Sequence, residues 1–323
     1  MLKLGVVNRR GLPRPRTWIG RRRHVSLLLL RDLVSDPSVT PEEYDRLAGY
    51  ARMPNGVWKR TRHGRLRLVD AALLEVLQER VARGARITVC DVAASTGATS
   101  VELYRLLAQH FDVDFVATDL YRDVLAVCSR TRRLAVVLDH EGNDVQYVAG
   151  PFVLPGGQPE SPVYPVNRTL RALLRRRFLP KARAALALAD VEALAPFASS
   201  VVGPYEVVRL PVLTRETVRM LGPGFRFEPW DVLAPFPLRA DVVRAMNILT
   251  REHFDDVRRR RALRNCVEAL KPGGLLVVGW SPTPESQTVE ASIYEATEDG
   301  LRRLRTLNGG SEIDALVAST FRV

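Results

Sequence analysis

Short apolar runs alternate with helix-like stretches beyond Gly84, and this alternation constrains the fold more than any other feature of the chain. Ile87–Val92 and Asp114–Thr118 have the length and composition of strands. Ser100–His110, between them, repeats its apolar residues at helical spacing, and Tyr121–Cys128 is predicted to begin another helix. Such alternation predicts an α/β fold, in which a mainly parallel sheet carries helices on both faces.

The same alternation returns in the last hundred residues. Asp241–Met246 and Leu275–Trp280 are predicted strands, and Asp255–Leu270 between them is a predicted helix. The chain closes with Val289–Thr297, a Glu-Asp-Gly turn and Leu301–Leu307, a pattern typical of an antiparallel hairpin at a sheet edge. Residues 85–323 are therefore predicted to form one α/β domain.

Two segments precede this domain. Residues 1–24 combine several arginines with prolines and glycines and have too few apolar residues for a helix face, which predicts a flexible basic arm. Residues 25–84 are predicted to be helical. Thr40 is placed as an N-cap with Pro41 at the first helical position, and Leu68–Val81 repeats apolar residues at helical spacing.

The domain is interrupted between about 129 and 224, far more chain than an ordinary connection needs. Leu134–Leu138 and Val145–Val148 flank a turn sequence and are predicted to pair as a hairpin. Thr169–Leu194 is predicted to be an arginine-rich helix. Because insertions at strand ends supply specificity in such folds, we expect this inserted cap to cover an acceptor site.

Composition excludes several classes of protein. The three cysteines are widely spaced in apolar surroundings, and the five histidines show no ligand spacing, so no disulfide framework and no metal site is predicted. No apolar run approaches the length of a membrane helix, which predicts a cytoplasmic protein. The net charge of +12 indicates either an anionic partner, with nucleic acid bound through the basic arm, or a general arginine bias, which we favour.

The best candidate for chemistry is the run from Ile87 to Gly97, a strand that ends in small residues and leads directly into a helix. A helix N-terminus presents unpaired N–H groups, and small residues let a ligand approach the backbone. Asp119 ends the next strand, where a carboxylate can accept both hydroxyls of a ribose. The alternative for Asp119 is that it caps a helix beginning at Tyr121.

The order of these motifs resembles that of class I S-adenosylmethionine-dependent methyltransferases and, within them, the chemotaxis receptor (CheR-type) methyltransferases. The segments that carry the similarity are Ala94–Gly97, Ala117–Asp119, Asp123–Leu125, Asn247–Leu249 and Leu270–Gly279 with its Lys271–Gly274 turn. The resemblance implies a Rossmann-like sheet, S-adenosylmethionine as cofactor and methyl transfer to an acceptor that these motifs do not identify: a protein carboxylate, a small molecule or a nucleic acid.

The resemblance also implies a set of cofactor-binding residues. Those implied for the methionine end of the cofactor are Asp91, Ala93, Ser95 and Gly97. Asp119 is implied for the ribose, and Asp231 and Val232 are implied for the adenine. Met246 and Asn247 are implied for the surroundings of the methyl group. Ala93 and Ser95 stand where glycines are common, and no catalytic base is identified.

Two other functions stay open on the sequence. A nucleic-acid-binding or regulatory protein that keeps the sheet without catalysis is favoured by the basic arm and by the scarcity of glycines before Gly97. A nicotinamide-dependent oxidoreductase is disfavoured by the Lys271–Gly274 turn and by the absence of a full Gly-x-Gly-x-x-Gly motif.

Overall fold

The computed structural model describes residues 3–8, 24–54, 57, 59, 61, 63–157, 164–281 and 288–322. The helices in this part of the chain are α1 (Leu29–Val34), α2 (Pro41–Ala48), α3 (Arg67–Arg80), α4 (Ala98–Leu107), α5 (Pro165–Arg177), α6 (Leu179–Leu188), α7 (Arg215–Met220), α8 (Asp256–Glu268) and α9 (Asp314–Thr320). The strands are β1 (Arg86–Val92), β2 (Asp112–Asp119), β3 (Asp123–Ser129), β4 (Leu134–Leu138), β5 (Asp144–Ala149), β6 (Phe152–Pro155), β7 (Ser199–Val202), β8 (Tyr205–Pro211), β9 (Phe225–Pro229), β10 (Ala240–Met246), β11 (Leu270–Trp280), β12 (Glu290–Thr297) and β13 (Gly300–Leu307).

The chain divides into two compact units. Unit 1 comprises the described residues within 1–60 and 123–218, and unit 2 comprises those within 61–122 and 219–323. The predicted insertion therefore begins at Asp123, and the N-terminal residues up to 60 belong to the same unit as the insertion. Only α3, from the predicted helical N-terminal segment, belongs to unit 2.

Unit 2 contains a seven-stranded sheet in the order β13-β12-β11-β10-β1-β2-β9. The five strands from β11 to β9 are parallel, whereas β12 and β13 pair antiparallel at the edge, so the predicted α/β sheet and its terminal hairpin are confirmed. In chain order, the strands of this sheet run 3-2-1-4-5-6 from β9 to β12, the order of a doubly wound sheet. The order reverses between β1 and β10, and ligands of such folds bind at the carboxyl ends of the strands at this point.

Helices cover both faces of the unit 2 sheet. Residues of α8 and α9, such as Leu263 and Val317, pack on the face that carries Cys90 and Val243. Side chains alternate along a strand, so Asp91 and Arg244 lie on the other face, where they contact α3 and α4. Apolar burial on one face and an ionic cluster on the other thus fix the helices around the switch point.

Unit 1 contains a six-stranded antiparallel sheet in the order β6-β5-β4-β3-β8-β7. Leu174 of α5, Phe178 between the two helices, and Leu179 and Ala182 of α6 pack on one face of it. The predicted hairpin is confirmed as β4 and β5. The predicted arginine-rich helix is two helices that meet at Phe178.

The N-terminal residues pack on the face of the unit 1 sheet opposite to α5 and α6. The side chain of Gln146, which alternates with the α6-facing Tyr147, accepts from the N–H of Leu27 and donates to the carbonyl of Val25. Thr40 caps α2 in a capping box with Pro41 at its first turn, as predicted. Arg215 donates to the carbonyls of Leu33 and Val39, which ties these helices to the insertion.

Two expectations about local structure differ from what the chain does. Tyr121–Cys128 was expected to begin a helix, but residues 123–129 form β3. They pair with β8 on one side, and residues 125–128 also pair with β4 on the other, which buries Val127. Residues 3–8 were expected in the flexible arm, but the N–H of Val6 donates to His24 and that of Gly5 to Pro151. Residues 9–23 of the arm lie outside the described part of the chain.

Candidate functional site

The loop between β1 and α4 has a backbone path that glycine normally provides. Ala93, Ser95 and Gly97 have φ angles of 56°, 59° and 82°, so three alternate residues are left-handed. This conformation costs an alanine or serine roughly 1–2 kcal/mol. Because strain of this kind is kept only where the surroundings enforce it, it marks the loop as a functional candidate.

The same loop leads directly into the start of α4. The N-cap is Gly97, which has no side chain to cap the helix. Ala98, Thr99 and Ser100 are buried, so their N–H groups in the first turn are shielded from water. A buried helix N-terminus without a cap favours an anionic or strongly polar partner.

Asp119 joins the ends of β1 and β2. Its Oδ2 accepts from the N–H of Ser95 at 2.9 Å, and its Oδ1 accepts from the N–H of Tyr121 at 3.0 Å. The helix-cap alternative is wrong, since β3 and not a helix follows Tyr121. The two backbone N–H groups hold the half-buried carboxylate in place at the end of β2.

Asp91, in contrast, faces away from the loop into the protein. It is 3% exposed and lies beside Arg244 in the register of β1 and β10. Arg244 donates from Nε to Oδ1 at 2.8 Å and from Nη2 to Oδ2 at 2.6 Å, and Ser100 donates to Oδ2 at 2.5 Å. Both oxygens of Asp91 are therefore engaged with Arg244 in a buried ion pair.

Asp70 of α3 completes this cluster. It accepts from Nη1 of Arg244 at 2.6 Å, so one fully buried guanidinium bridges two carboxylates. Burial raises the pKa of Asp70 to about 6, because the loss of hydration outweighs the attraction of Arg244. The cluster ties α3, β1, α4 and β10 together directly beneath the loop. Its sequence signal was an arginine within the apolar strand Val242–Met246, which the sequence analysis passed over.

The segment after β9 forms a tight turn next to Asp119. The N–H of Trp230 donates to the Asp119 carbonyl at 3.1 Å, and the exposed Asp231 accepts through Oδ1 from the N–H of Leu233 at 2.9 Å. The carbonyl of Val232 accepts from Asn265 at 2.8 Å. Within the described residues, the N–H of Val232 has no partner. This N–H and the second carboxylate oxygen of Asp231 therefore provide one donor and one acceptor for a ligand that has both kinds of group.

The end of β10 supplies the last two predicted residues. Met246 is buried, and its terminal methyl would lie 2.7 Å from a Cβ placed on Gly279, so its side chain packs over β11. Asn247 is left-handed, with φ of 61°, and its Oδ1 accepts from the N–H of Ser281 at 2.7 Å. Asn247 follows β10, and Ala93 follows the neighbouring strand β1. Both residues are left-handed, so the backbone turns after each strand at the same edge of the sheet.

The predicted residues thus separate into two groups. The loop residues, Asp119, Asp231, Val232 and Asn247 lie at the carboxyl edge of the sheet, and Ser95 contacts Asp119 directly. Asp91 and Met246 serve the interior. Among the described residues, no cluster of histidine, cysteine or acidic side chains could hold a metal ion, and no helix is long and apolar enough to cross a membrane.

No protein-family model and no curated protein matches the chain. Solved structures that align with it include the N-methyltransferase NodS from Bradyrhizobium japonicum in complex with S-adenosyl-L-homocysteine, at 12% identity over 78% of this chain and 71% of that one, with a TM-score of 0.30. An amino pentose methyltransferase from Micromonospora echinaspora with S-adenosylmethionine bound aligns at 14% identity over 78% of this chain and 81% of that one, with a TM-score of 0.31.

A cyclase, SpnF, also aligns, at 15% identity over 66% of this chain and a TM-score of 0.27. The matched region spans 46% of that cyclase's own length. Similarity at these identities and TM-scores does not bear on what the chain does, so its function has to be argued from the site.

Proposed function

We propose that the chain binds S-adenosylmethionine at the carboxyl edge of the unit 2 sheet and transfers its methyl group to an acceptor. The observation that carries the proposal is the position of the Asp119 carboxylate, which the N–H of Ser95 holds beside the left-handed loop at the carboxyl end of β2. It lies at the switch point of a doubly wound sheet, where nucleotide-type ligands of such sheets bind.

The other residues at this edge fit the same cofactor. The N-terminus of α4, which Gly97 leaves without a side-chain cap, and the loop from Ala93 to Gly97 suit the carboxylate of the methionine end, because N–H groups and the helix dipole favour an anion. Asp231 and the N–H of Val232 offer an acceptor and a donor, which matches the amino group and ring nitrogen of adenine. Asp91 does not fit as a ligand, and we assign it to holding β1 against β10.

A methyl sulfonium is electrophilic when bound, so the protein has mainly to align an acceptor with it and exclude water. Asn247 lies at the strand end nearest to the expected methyl position, and the N–H of Ser281 fixes its side-chain oxygen. Because the oxygen is the atom that Ser281 holds, the amide nitrogen of Asn247 serves as a donor. The similarity of the core motifs to chemotaxis receptor methyltransferases supports a carboxylate acceptor, for which no proton has to be removed.

The test compares two ligands with two proteins. Calorimetry would measure binding of S-adenosylhomocysteine and of its 2′,3′-dideoxy analogue to the wild type and to Asp119→Ala. If Asp119 binds the ribose, the substitution should weaken S-adenosylhomocysteine binding by on the order of a hundredfold, since charge-assisted bonds contribute roughly 1.5–3 kcal/mol each. It should weaken binding of the dideoxy analogue far less.

The comparison separates ribose binding from loop holding. An Asp119→Asn variant alone would not, because each carboxylate oxygen takes a different backbone N–H and an amide can accept only one of them. Asp112→Asn, at the exposed opposite end of β2, is the matched control and should bind both ligands normally. Equal losses for both ligands would show that Asp119 only holds the loop. No binding by the wild type would favour the non-catalytic alternative.

A further inference from the structure

The outer surface of α5 and α6 in unit 1 is basic without any acidic residue to balance it. Between Pro165 and Ala189 the chain has seven basic residues and no aspartate or glutamate; the basic ones are Arg168, Arg171, Arg175, Arg176, Arg177, Lys181 and Arg183. At the chain's overall frequency of 36 acidic residues in 323, a segment of this length would carry about three. The segment is therefore poorer in acidic residues than the overall composition of the chain predicts.

Three of these cations are used by unit 1 itself. Arg171 donates to the carbonyl of Gly156, Arg183 donates to that of Gly142, and Arg175 lies 3.7 Å from Asp144. The other four form what we call the α5–α6 quartet, defined as Arg168, Arg176, Arg177 and Lys181. All four are exposed, and none of their side chains forms an ion pair or a hydrogen bond with any described residue.

Helix α8 in unit 2 shows what arginine bias alone produces. It has four exposed arginines, but acidic residues lie at both of its ends. Arg258 lies 3.9 Å from Asp255, and Arg259 lies 2.6 Å from Asp256. Asp255 and Asp256 thus neutralise part of the charge at the start of α8, whereas α5 and α6 have no acidic residue of their own.

We propose that the α5–α6 quartet binds the phosphodiester backbone of a nucleic acid. Guanidinium groups match phosphate in a two-pronged geometry, and three of the four residues are arginines. An anionic membrane is a poorer fit, because membrane-surface helices insert a broad apolar face. The apolar face of α5, with Leu174 and the following Phe178, is buried against the unit 1 sheet. This binding does not depend on S-adenosylmethionine.

The experiment uses the full chain and a fluorescein-labelled 20-base-pair duplex of arbitrary sequence. Binding is measured at several salt concentrations for the wild type and for a variant with all four quartet residues changed to glutamine. The slope of log K against log salt changes by about 0.9 for each phosphate contact. We expect the quartet variant to lose about 3 from that slope and to bind at least tenfold more weakly near 0.1 M salt.

The matched control removes the same charge elsewhere. Glutamine at Arg258, Arg260, Arg261 and Arg264, all exposed on α8, should leave affinity and slope nearly unchanged. A second variant with Arg168→Lys, Arg176→Lys and Arg177→Lys keeps the charge and should keep the slope, which identifies any loss caused by misfolding.

Three results would overturn the proposal. The first is an equal loss in the α8 variant, which would mean that only net charge matters. The second is duplex binding by the wild type without salt dependence, or no binding. The third is quartet-dependent binding to vesicles of phosphatidylglycerol and phosphatidylcholine in place of the duplex.

Discussion

The strain in the first loop can be measured by exchanging two adjacent alanines for glycine. Ala93 is left-handed, with φ of 56°, whereas Ala94 is not among the left-handed residues and is 6% exposed. Ala93→Gly and Ala94→Gly each remove one methyl group and add the same freedom to the unfolded chain. The strain at position 93 is therefore the main difference between the two variants.

The expected difference follows from the backbone angles. Glycine in place of alanine costs roughly 0.5–1 kcal/mol in unfolded-chain entropy, and burial of the lost methyl adds to this cost at both sites. At Ala93, relief of the left-handed conformation returns roughly 1–2 kcal/mol. We expect Ala93→Gly to be nearly neutral or stabilising, and Ala94→Gly to be less stable than it by about 1–2 kcal/mol.

Urea unfolding followed by tryptophan fluorescence is a suitable assay, because Trp230 and Trp280 both belong to unit 2. Ser95→Gly, at φ of 59°, should behave like Ala93→Gly. If glycine destabilises position 93 as much as position 94, the loop is not strained and the comparison with glycine-rich nucleotide loops fails.

The buried cluster gives two further predictions. Arg244→Met should reduce the free energy of unfolding by about 3–5 kcal/mol, because two buried carboxylates lose their partner. Arg226→Met is the control, since it breaks a partly exposed pair with Asp114, and it should cost about 1 kcal/mol or less. Urea unfolding measures both variants. The raised pKa of Asp70 means that the folded state holds its proton more tightly, so its contribution to stability is complete below pH 3.8 and is lost as the pH rises through about 6. That loss is of the order of 3 kcal/mol, and Asp70→Asn should flatten the dependence of unfolding free energy on pH between 4 and 6; an unchanged slope would contradict this.

Parts of the candidate site were predictable because they depend on neighbours in sequence. A strand, a small-residue turn and a helix follow one another from Ile87 to Leu107, and their order alone places the loop at the carboxyl edge of a parallel sheet. The same logic placed Asp119 at that edge, whereas Asn247 was implied by the family resemblance. Local spacing could not show that the loop would be left-handed at Ala93 and Ser95, because alanine and serine do not favour that conformation.

The role of Asp91 required distant partners. Its sequence position is that of a ligand, but its side chain faces α3 and α4, where Arg244 lies 153 positions later in the chain and Asp70 lies on a preceding helix. Only the parallel register of β1 and β10 brings the charges together. An arginine within an apolar strand was the single local sign of this buried pair.

The amino-acid sequence by itself determined the strand–helix rhythm of unit 2, its edge hairpin and the edge where its polar side chains meet, because hydrophobic periodicity and turn residues act over a few positions. Tertiary structure alone decided that residues 123–129 form a strand and that the N-terminal helices join the insertion in unit 1. Val124–Val127 can satisfy either a helix or a strand locally, and pairing with β4 and β8 satisfies their backbone groups and buries their side chains on both faces.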